Sequence, residues 1–286
     1  MSPEPGRVYI PAVGARDAGG SAARPFAGDT ASFYRRYRRG YPAEFVARLL
    51  ECCGSARGRL LDLGCGTGSL LLQLVPFFEH AVGIDPEPDM LREAARAATE
   101  RDLQNVEWTR GSSAELPELE RLLGRFDLVT IGTAFHFMEP GVTLAVLQRI
   151  AEGGVVAVAY NGTPMWLHPD PWAQALRSVL EARLGHLSDA DFTAEALRTA
   201  EDTMRDLAYA QVERWERTEV ETIDAGFVVG HILSATSSDQ IPPGQRQEFA
   251  QEVSSAITAV APSGRVVETV RVRAVIGRTD QRRLAR

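Results

Sequence analysis

The stretch of the sequence best able to do chemistry is a glycine-rich turn with an acidic residue just before it. Residues 60–68 read L-L-D-L-G-C-G-T-G, which places Asp62 near the end of an apolar run and glycines at 64, 66 and 68. Glycine tolerates positive φ and lets a ligand approach the main chain closely. The spacing differs from the G-x-G-x-x-G of dinucleotide sites. Asp62 would repel a pyrophosphate and attract an ammonium group, so the pattern favours a nucleoside with an amino-acid tail.

A second acidic residue, Asp85, ends the next apolar run, which covers residues 81–84. An acid at the end of the second strand of a βαβ unit is placed to accept hydrogen bonds from both hydroxyls of a ribose. Asp85 could instead cap a helix or form a turn before Pro86 and Pro88. Together with Asp62 and the glycines, the sequence favours the ribose role.

Small polar residues follow a third apolar run. Residues 106–108 predict a short strand, and the segment after it reads G-S-S-A-E-L-P at 111–117. Ser112 and Ser113 could hydrogen-bond the edge of an adenine, or they could cap a helix.

Two further strands are predicted over residues 125–131 and 155–159, the second of them fully apolar. The first leads into Thr133, Phe135 and His136, and the second leads into Tyr160. Ligands of open α/β sheets bind at the carboxyl edge of the strands, so we expect these side chains to gather there.

The segment A-S-F-Y-R-R-Y-R-R-G-Y-P at 31–42 alternates aromatic residues and arginines. It could be a solvated basic helix whose aromatic rings cover the domain. It could also be a lid, in which aromatic faces pack near a cation and an arginine binds a carboxylate.

The remaining pattern predicts one α/β domain. Strands over residues 211–222 and 266–276 bring the predicted total to seven. We expect a disordered leader over residues 1–25, a domain over 26–278 and a tail over 279–286. Helical insertions are expected at about 162–210 and 224–264.

Composition limits the classes of function. The formal charge of −7 gives no electrostatic footprint for nucleic acid, which makes such a partner improbable without excluding it. The chain has no lysine, so Schiff-base chemistry and the P-loop lysine are absent. The cysteines, at 52, 53 and 65, lack the spacing of a zinc site, and no metal site is predicted. No apolar run matches a membrane span and no signal peptide is apparent, so we expect a cytoplasmic protein.

Five sequence elements carry a resemblance to a known family. They are Y-R-x-x-Y-P at 37–42, L-D-L-G-C-G-T-G at 61–68, V-G-I-D-P at 82–86, G-S-S-A-E-L-P at 111–117 and F-D-L-V-T-I-G-T-A-F-H-F-M at 126–138. In this order the chain resembles the class I S-adenosylmethionine-dependent methyltransferases, in the small-molecule, type 11-like branch. The resemblance implies a Rossmann-like, doubly wound sheet of seven strands. That sheet would be mostly parallel with an antiparallel last strand, and helical insertions would cap its carboxyl edge.

The resemblance also implies the cofactor S-adenosyl-L-methionine. The residues expected to contact it are Tyr37, Arg38, Asp62, Gly64, Cys65, Gly66, Asp85, Pro86, Ser112, Ser113 and Thr133. Asp62 is expected near the methionine ammonium group, Asp85 at the ribose and the two serines near adenine. For the methionine carboxylate we favour Arg38 over Tyr37, because Arg38 occupies the family's arginine position.

The predicted reaction is transfer of a methyl group to an O, N or C atom of a small molecule, with specialised metabolism as one setting. His136 is the candidate base for an acceptor that must lose a proton, although it could simply pack between its phenylalanine neighbours. Residues expected near the acceptor are Tyr41, Phe135, Tyr160, Trp166 and His168. The chain could also form a homodimer.

Three other functions stay open on the sequence. A nicotinamide oxidoreductase has the same architecture, but the glycine spacing and Asp62 count against it. A methyltransferase acting on RNA or protein would keep the cofactor site and change the acceptor. A non-catalytic sensor would bind the cofactor and respond through its N-terminal segment.

Overall fold

The predicted strands form one sheet in the computed structural model, which describes residues 8–9, 28–236 and 240–280. The strands are β1 (Val8–Tyr9), β2 (Arg59–Leu63), β3 (His80–Asp85), β4 (Val106–Arg110), β5 (Leu128–Gly132), β6 (Val155–Asn161), β7 (Gln211–Asp224) and β8 (Arg265–Arg278). Their order across the sheet is β1-β4-β3-β2-β5-β6-β8-β7. All neighbours are parallel except β8, which runs antiparallel to β6 and to β7. The predicted fold is therefore confirmed, with the short β1 added at one edge.

The helices alternate with the first strands and then accumulate in the later part of the chain. They are α1 (Asp29–Tyr37), α2 (Ala43–Cys53), α3 (Leu71–Leu74), α4 (Pro88–Glu100), α5 (Leu116–Leu123), α6 (Pro140–Ile150), α7 (Pro171–Leu184), α8 (Phe192–Asp206), α9 (Ala225–Leu233) and α10 (Arg246–Val260). Among the described helices, none has the length and apolar character needed to cross a bilayer.

Apolar side chains form a core on each face of the sheet. Phe45, Leu71 and Trp108 belong to the core on one face, and Ile131 and Leu147 belong to the core on the other face. The parallel strand β6 is buried along nearly its whole length, which explains why its sequence is an unbroken apolar run.

The last two strands are longer than the strands beside them. β6 pairs with β8 only between Val155↔Arg278 and Asn161↔Val272, whereas β7 and β8 pair over their full length, from Gln211↔Arg278 to Asp224↔Arg265. The outer part of this two-stranded ribbon therefore projects past the carboxyl end of β6. A third apolar core, which includes Trp172, Val228 and Phe249, packs around it. Trp172 Nε1 donates to the Val267 carbonyl of the ribbon at 3.1 Å.

The helical insertions differ in where they pack. Helices α7, α9 and α10 form the cap on the ribbon, and α1 packs against α9. Helix α8 is not part of the cap. It packs against α6 and the sheet and buries Leu197 and Met204 there. The expected insertion at 162–210 is thus divided between the cap and one face of the sheet.

The chain ends of the domain are partly described. Within the predicted leader, Val8–Tyr9 pairs in parallel with Trp108 and Thr109 of β4, and the other leader residues lie outside the described part of the chain. At the other end, the Thr279 backbone N–H donates to the Gly154 carbonyl at 3.1 Å. The sheet's hydrogen bonding therefore continues into the predicted tail.

Candidate functional site

A cavity of about 490 Å³ opens at the carboxyl ends of β2, β3, β4 and β5. This is the point where the strand order reverses, and ligands of doubly wound sheets bind there. The lining residues are Tyr34, Leu63, Gly64, Gly66, Asp85, Pro86, Glu87, Met90, Arg110, Gly111, Ser112, Ser113, Gly132, Thr133, Ala134, Phe137 and Met138. Seven of the residues predicted to bind the cofactor are among them: Gly64, Gly66, Asp85, Pro86, Ser112, Ser113 and Thr133.

The glycine turn after β2 needs its glycines. Gly64, Gly66 and Gly68 all have positive φ, between 53° and 79°. A Cβ at Gly64 would lie 2.6 Å from the Ala134 Cβ, which no packed structure tolerates. The Gly64 backbone N–H donates to the Ile84 carbonyl at 2.7 Å, which fixes the turn to the end of β3. The bare backbone of the turn leaves room for a ligand against the main chain.

Asp85 connects this turn to the next strand. Its Oδ2 accepts from the Gly66 backbone N–H at 2.8 Å and its Oδ1 accepts from the Glu87 backbone N–H at 2.9 Å. Burial raises the pKa of Asp85 to about 6, and these two hydrogen bonds limit the rise. Each carboxylate oxygen keeps a lone pair, and the residue lines the cavity. The group can accept hydrogen bonds from a pair of hydroxyls.

Asp62 lies below the lining residues. Its Oδ1 accepts from Thr130 Oγ1 at 2.7 Å, because Thr130 is its register partner on β5. Full burial raises the pKa of Asp62 to about 7. Its role near a methionine ammonium group stays a prediction.

The N-terminal segment contributes a different residue from those predicted. Tyr34 of α1 lines the cavity, whereas Tyr37 packs between Phe33 and Phe227 in the cap. The Arg38 guanidinium carbon stands 4.9 Å from the centre of the Tyr34 ring. Tyr34 and Arg38 are four residues apart, so helical spacing was the signal that could have identified Tyr34.

Arg38 has only part of its donor capacity in use. Its Nε donates to Ser234 Oγ at 2.8 Å, and its terminal nitrogens make no hydrogen bond to any residue that the structure describes. Burial and the neighbouring Arg39 lower the pKa of Arg38. A buried guanidinium with unused planar donors suits a carboxylate.

Two predicted cofactor residues have their polar groups turned to the protein. The Cys65 thiol is buried, and burial raises its pKa well above the usual value. Ser112 Oγ donates to Glu115 Oε2 at 3.0 Å, and the Ser112 backbone N–H donates to the same oxygen at 2.8 Å. Glu115 therefore fixes the loop before α5 and occupies the Ser112 hydroxyl.

His136 stands beside the cavity, next to its lining residue Phe137. Its Nδ1 and its backbone N both lie 3.0 Å from Tyr160 Oη. Its ring packs against Phe137 and against Phe192 of α8, with ring centres 3.9 and 4.7 Å apart. Burial, and then the charge of Arg38, lower the pKa of His136 to about 4. The imidazole is therefore neutral at physiological pH.

The residues predicted for acceptor binding are not in the cavity lining. Tyr41, Phe135 and Tyr160 are buried in the cores, and Tyr41 Oη lies 3.2 Å from Thr133 Oγ1. Trp166 and His168 lie at the start of the cap, where His168 Nε2 is 3.2 Å from Thr163 Oγ1. Ten lining residues are not among the predicted site residues: Tyr34, Leu63, Glu87, Met90, Arg110, Gly111, Gly132, Ala134, Phe137 and Met138. Most of them adjoin a predicted residue, and that adjacency was their only signal.

Comparison with known proteins agrees with this geometry. Residues 60–153 match the family described as a methyltransferase domain. An uncharacterized methyltransferase of Mycobacterium tuberculosis is 31% identical over 135 residues, which are 47% of this chain and 51% of the relative. A putative type II methyltransferase from Anaeromyxobacter dehalogenans superposes with a TM-score of 0.55 at 19% identity, over 86% of this chain and 98% of that structure. Residues 60–153 therefore match a methyltransferase domain, and the chain has the fold of the class I S-adenosylmethionine-dependent methyltransferases.

The part of the chain that matches the methyltransferase domain has a clear boundary. It begins at the second residue of β2 and ends just before β6, so it covers the strands that line the cavity. The N-terminal helices and the cap lie outside it. The chain spans about half the length of the Mycobacterium relative that it matches. A trans-aconitate 2-methyltransferase of Deinococcus radiodurans is 30% identical over 104 residues, which are 35% of this chain and 36% of that relative.

Proposed function

We propose that this protein transfers a methyl group from S-adenosyl-L-methionine to a small molecule. The observation that carries the proposal is the pairing of the glycine turn with Asp85 at the floor of one cavity. A Cβ at Gly64 would close the approach to the turn, so the site is built for a ligand that touches the backbone. The cavity volume also falls within the roughly 300–1,000 Å³ of small-ligand pockets.

The residues present fit the cofactor in three places. Asp85 would accept hydrogen bonds from the ribose hydroxyls. Ser113 and Met90 also line the cavity and would contact adenine. Arg38, which stacks on the lining residue Tyr34, would bind the methionine carboxylate with its terminal nitrogens.

The chemistry that the cofactor supplies when bound is a methyl group already activated on a sulfonium. The protein then has to align the acceptor behind that methyl group and exclude water. Phe137 and Met138 are apolar members of the lining next to His136 and suit the second task. In-line displacement needs a base only for an acceptor that must lose a proton. A base at His136 is not part of this proposal, because its Nδ1 is already engaged with Tyr160.

A small-molecule acceptor suits the cap better than a macromolecule does. The cap of α7, α9 and α10, with α1 packed against α9, stands over the carboxyl edge of the sheet, and the net charge is −7. One relative is named for trans-aconitate, a small molecule. Contacts of the acceptor with Tyr41, Phe135, Tyr160, Trp166 or His168 remain predictions. A cytoplasmic location, a homodimer and a role in specialised metabolism also remain predictions.

A methyl-transfer assay tests this function. The protein is incubated with cofactor carrying an isotopically labelled methyl group and with separate pools of small organic acids, phenols and amines, of RNA and of protein. We expect labelled product from a small-molecule pool, with S-adenosylhomocysteine formed in equal amount. Label in RNA or protein alone would contradict the acceptor class. Absence of cofactor binding would contradict the methyltransferase activity itself.

A further inference from the structure

The hydrogen bonds around His136 fix the tautomer of its ring. The peptide N–H of His136 can only donate, so Tyr160 Oη accepts it at 3.0 Å. Tyr160 is fully buried, and its hydroxyl hydrogen therefore needs an acceptor. His136 Nδ1, also 3.0 Å away, is that acceptor. The neutral ring then carries its proton on Nε2.

In this tautomer the N–H donor of the His136 ring is at Nε2, the nitrogen that is not bound to Tyr160. Nε2 lies on the edge of the ring opposite Nδ1, so its N–H points away from the buried Tyr160. The side chain is exposed, and Nε2 has no hydrogen-bond partner among the residues that the structure describes. The rings packed against the imidazole are those of Phe137 and Phe192, which cannot accept a conventional hydrogen bond. His136 keeps exposed surface, but packing against these rings partly desolvates the imidazole, and this desolvation, together with the smaller effect of the Arg38 charge, keeps the ring neutral.

Other side chains near the site are also poor bases. Tyr41 is buried and Tyr34 is half-buried, and desolvation raises the pKa of each phenol. His231 is half-buried near Arg38 and Arg39; desolvation and these charges hold its pKa well below the usual value, and its Nδ1 lies 3.3 Å from the Tyr37 carbonyl oxygen. The carboxylates of Asp85 and Asp62 are held by backbone N–H groups and by Thr130, respectively, and Asp85 is assigned to the ribose. A neutral hydroxyl acceptor would therefore find no free group ready to remove its proton among these side chains.

We propose that His136 is a positioning hydrogen-bond donor, held by Tyr160, and that the acceptor it positions is the carboxylate of a small organic acid. This inference rests on the proposed methyltransferase function. The Nε2–H donor of His136 favours an anionic oxygen as its hydrogen-bond partner. A carboxylate is ionised at neutral pH and needs no base.

The step balances without a proton. The carboxylate oxygen forms the new O–C bond to the methyl carbon while the C–S bond breaks and its electron pair stays on sulfur. The products are a methyl ester and the neutral thioether S-adenosylhomocysteine. One positive and one negative charge disappear together, and no group has to accept a proton.

The tautomer can be measured without turnover. Long-range ¹H–¹⁵N correlation spectra of the full chain with ¹⁵N-labelled histidine distinguish protonated from bare ring nitrogens. The His136→Gln variant assigns the signal among the five histidines. We expect His136 with the proton on Nε2 at neutral pH, and we expect Tyr160→Phe to abolish that fixed state. A proton on Nδ1 in the wild-type chain would overturn the proposal, because Nε2 would then be free to act as a base.

The acceptor class is tested with matched probes. Benzoate, phenol and benzylamine share one ring, and citrate and trans-aconitate extend the acids. We expect methyl esters of acids, with a rate at saturating cofactor that does not change between about pH 7 and pH 9, since a carboxylic acid ionises below this window. Methylation of phenol or benzylamine but not of the acids would overturn the inference and leave the proposed function intact. If no probe is methylated, the tautomer measurement decides the role of His136.

Variants separate positioning from proton removal. We expect His136→Ala to raise KM for the acid by about tenfold, the worth of one hydrogen bond to a charged group, with kcat changed less. His136→Gln keeps an N–H donor and should recover most of that loss. A base would show the reverse: kcat would fall in both variants, and the fall would depend on pH. Loss of S-adenosylhomocysteine binding in the wild-type chain would instead count against the proposed function.

Discussion

At the scale of single residues, Asp85 holds the glycine turn and faces the cavity at the same time. Its carboxylate accepts two backbone N–H groups, yet burial still raises its pKa to about 6. A ribose needs the ionised form as its hydrogen-bond acceptor. A proton and the ribose therefore compete for Asp85 as the pH falls through about 6.

This competition predicts a pH dependence of binding. The probe is 5′-methylthioadenosine, which has the ribose and adenine without the amino-acid tail. We expect its affinity to be constant above about pH 7 and to fall about tenfold per pH unit below about pH 6, because one proton must leave Asp85. Equilibrium titrations at several pH values measure this. Constant affinity down to pH 5, or the same fall in an Asp85→Asn variant, would contradict the role of Asp85.

The cavity also depends on a residue with no side chain. Gly64→Ala would place a Cβ 2.6 Å from Ala134, in a backbone conformation with φ of 71°. We expect cofactor affinity to fall by more than tenfold. Gly54→Ala is the matched control, because Gly54 also has positive φ but has open space around it. Both variants carry the ~1–2 kcal/mol cost of the left-handed conformation, so equal binding losses in calorimetry would refute the steric explanation.

Sequence reasoning worked best where backbone geometry dictates the residue. Gly64, Gly66 and Asp85 were predictable, since a strand, a glycine turn and an acid after the next strand follow from one local pattern. The placement of His136 against Tyr160 was not predictable. The two residues are 24 positions apart, and their contact depends on the neighbouring ends of two strands and on the turn between them. Nor could the sequence show that Tyr34 reaches the cavity while Tyr37 faces the cap.

At the scale of elements, the position of α1 depends on α9. Tyr37 of α1 lies so close to Gly230 that a Cβ there would be 2.3 Å from its ring. We expect Gly230→Ala to displace α1, which carries Tyr34, with Arg38 just after it, and to weaken cofactor binding by about tenfold. Gly226→Ala in the same helix is the control, because its new Cβ meets only the flexible Asp224 side chain, at 3.3 Å. Unchanged binding in Gly230→Ala would show that α1 does not contribute to the site.

A second link joins the N-terminal segment to the ribbon of β7 and β8. Arg39 donates to Glu221 at 2.7 Å and also pairs with Glu268, which is only 3% exposed. We expect Arg39→Met to lower the free energy of unfolding by about 3 kcal/mol, because it leaves the Glu268 carboxylate buried and unpaired. Arg36→Met is the control on exposed surface, with an expected effect within about 0.5 kcal/mol. Urea unfolding measures both, and a small effect for Arg39→Met would mean that Glu268 takes up a proton or reaches water.

The sequence could not predict that the inserted helices pack in two different places, α7 in the cap and α8 on the sheet. The sequence predicted helical insertions at about 162–210 and 224–264, but helical periodicity cannot say which neighbour a helix buries its apolar face against. The ribbon decides this, because β7 and β8 pair past the end of β6 and provide a support for the cap. The sequence predicted that β7 and β8 are long. It could not predict the register in which they pair with each other and with β6, and this register makes the ribbon project past β6.

At the scale of the whole molecule, the cavity lies between two parts of the chain: the strands that match a known family, and the N-terminal helix with the cap, which do not. The strands within residues 60–153 match a methyltransferase domain and supply the floor. Tyr34 on α1 and the cap lie outside that match, on the side where an acceptor would approach. The family match therefore covers the residues at the floor of the cavity. The acceptor has to be inferred from residues of this chain outside that match.

The central claim is that the cavity binds S-adenosylmethionine through Asp85. Its most direct test is calorimetric titration of S-adenosylhomocysteine into the wild-type chain, Asp85→Ala and the exposed control Asp202→Ala, with NADH as a second ligand and thermal unfolding to verify folding. We expect S-adenosylhomocysteine to bind saturably to the wild-type chain and to Asp202→Ala. In folded Asp85→Ala we expect its affinity to fall about a hundredfold, because two charge-assisted hydrogen bonds are lost. NADH should not bind to any of the three proteins. Unchanged affinity in Asp85→Ala, or saturable binding of NADH in place of S-adenosylhomocysteine, would contradict the claim.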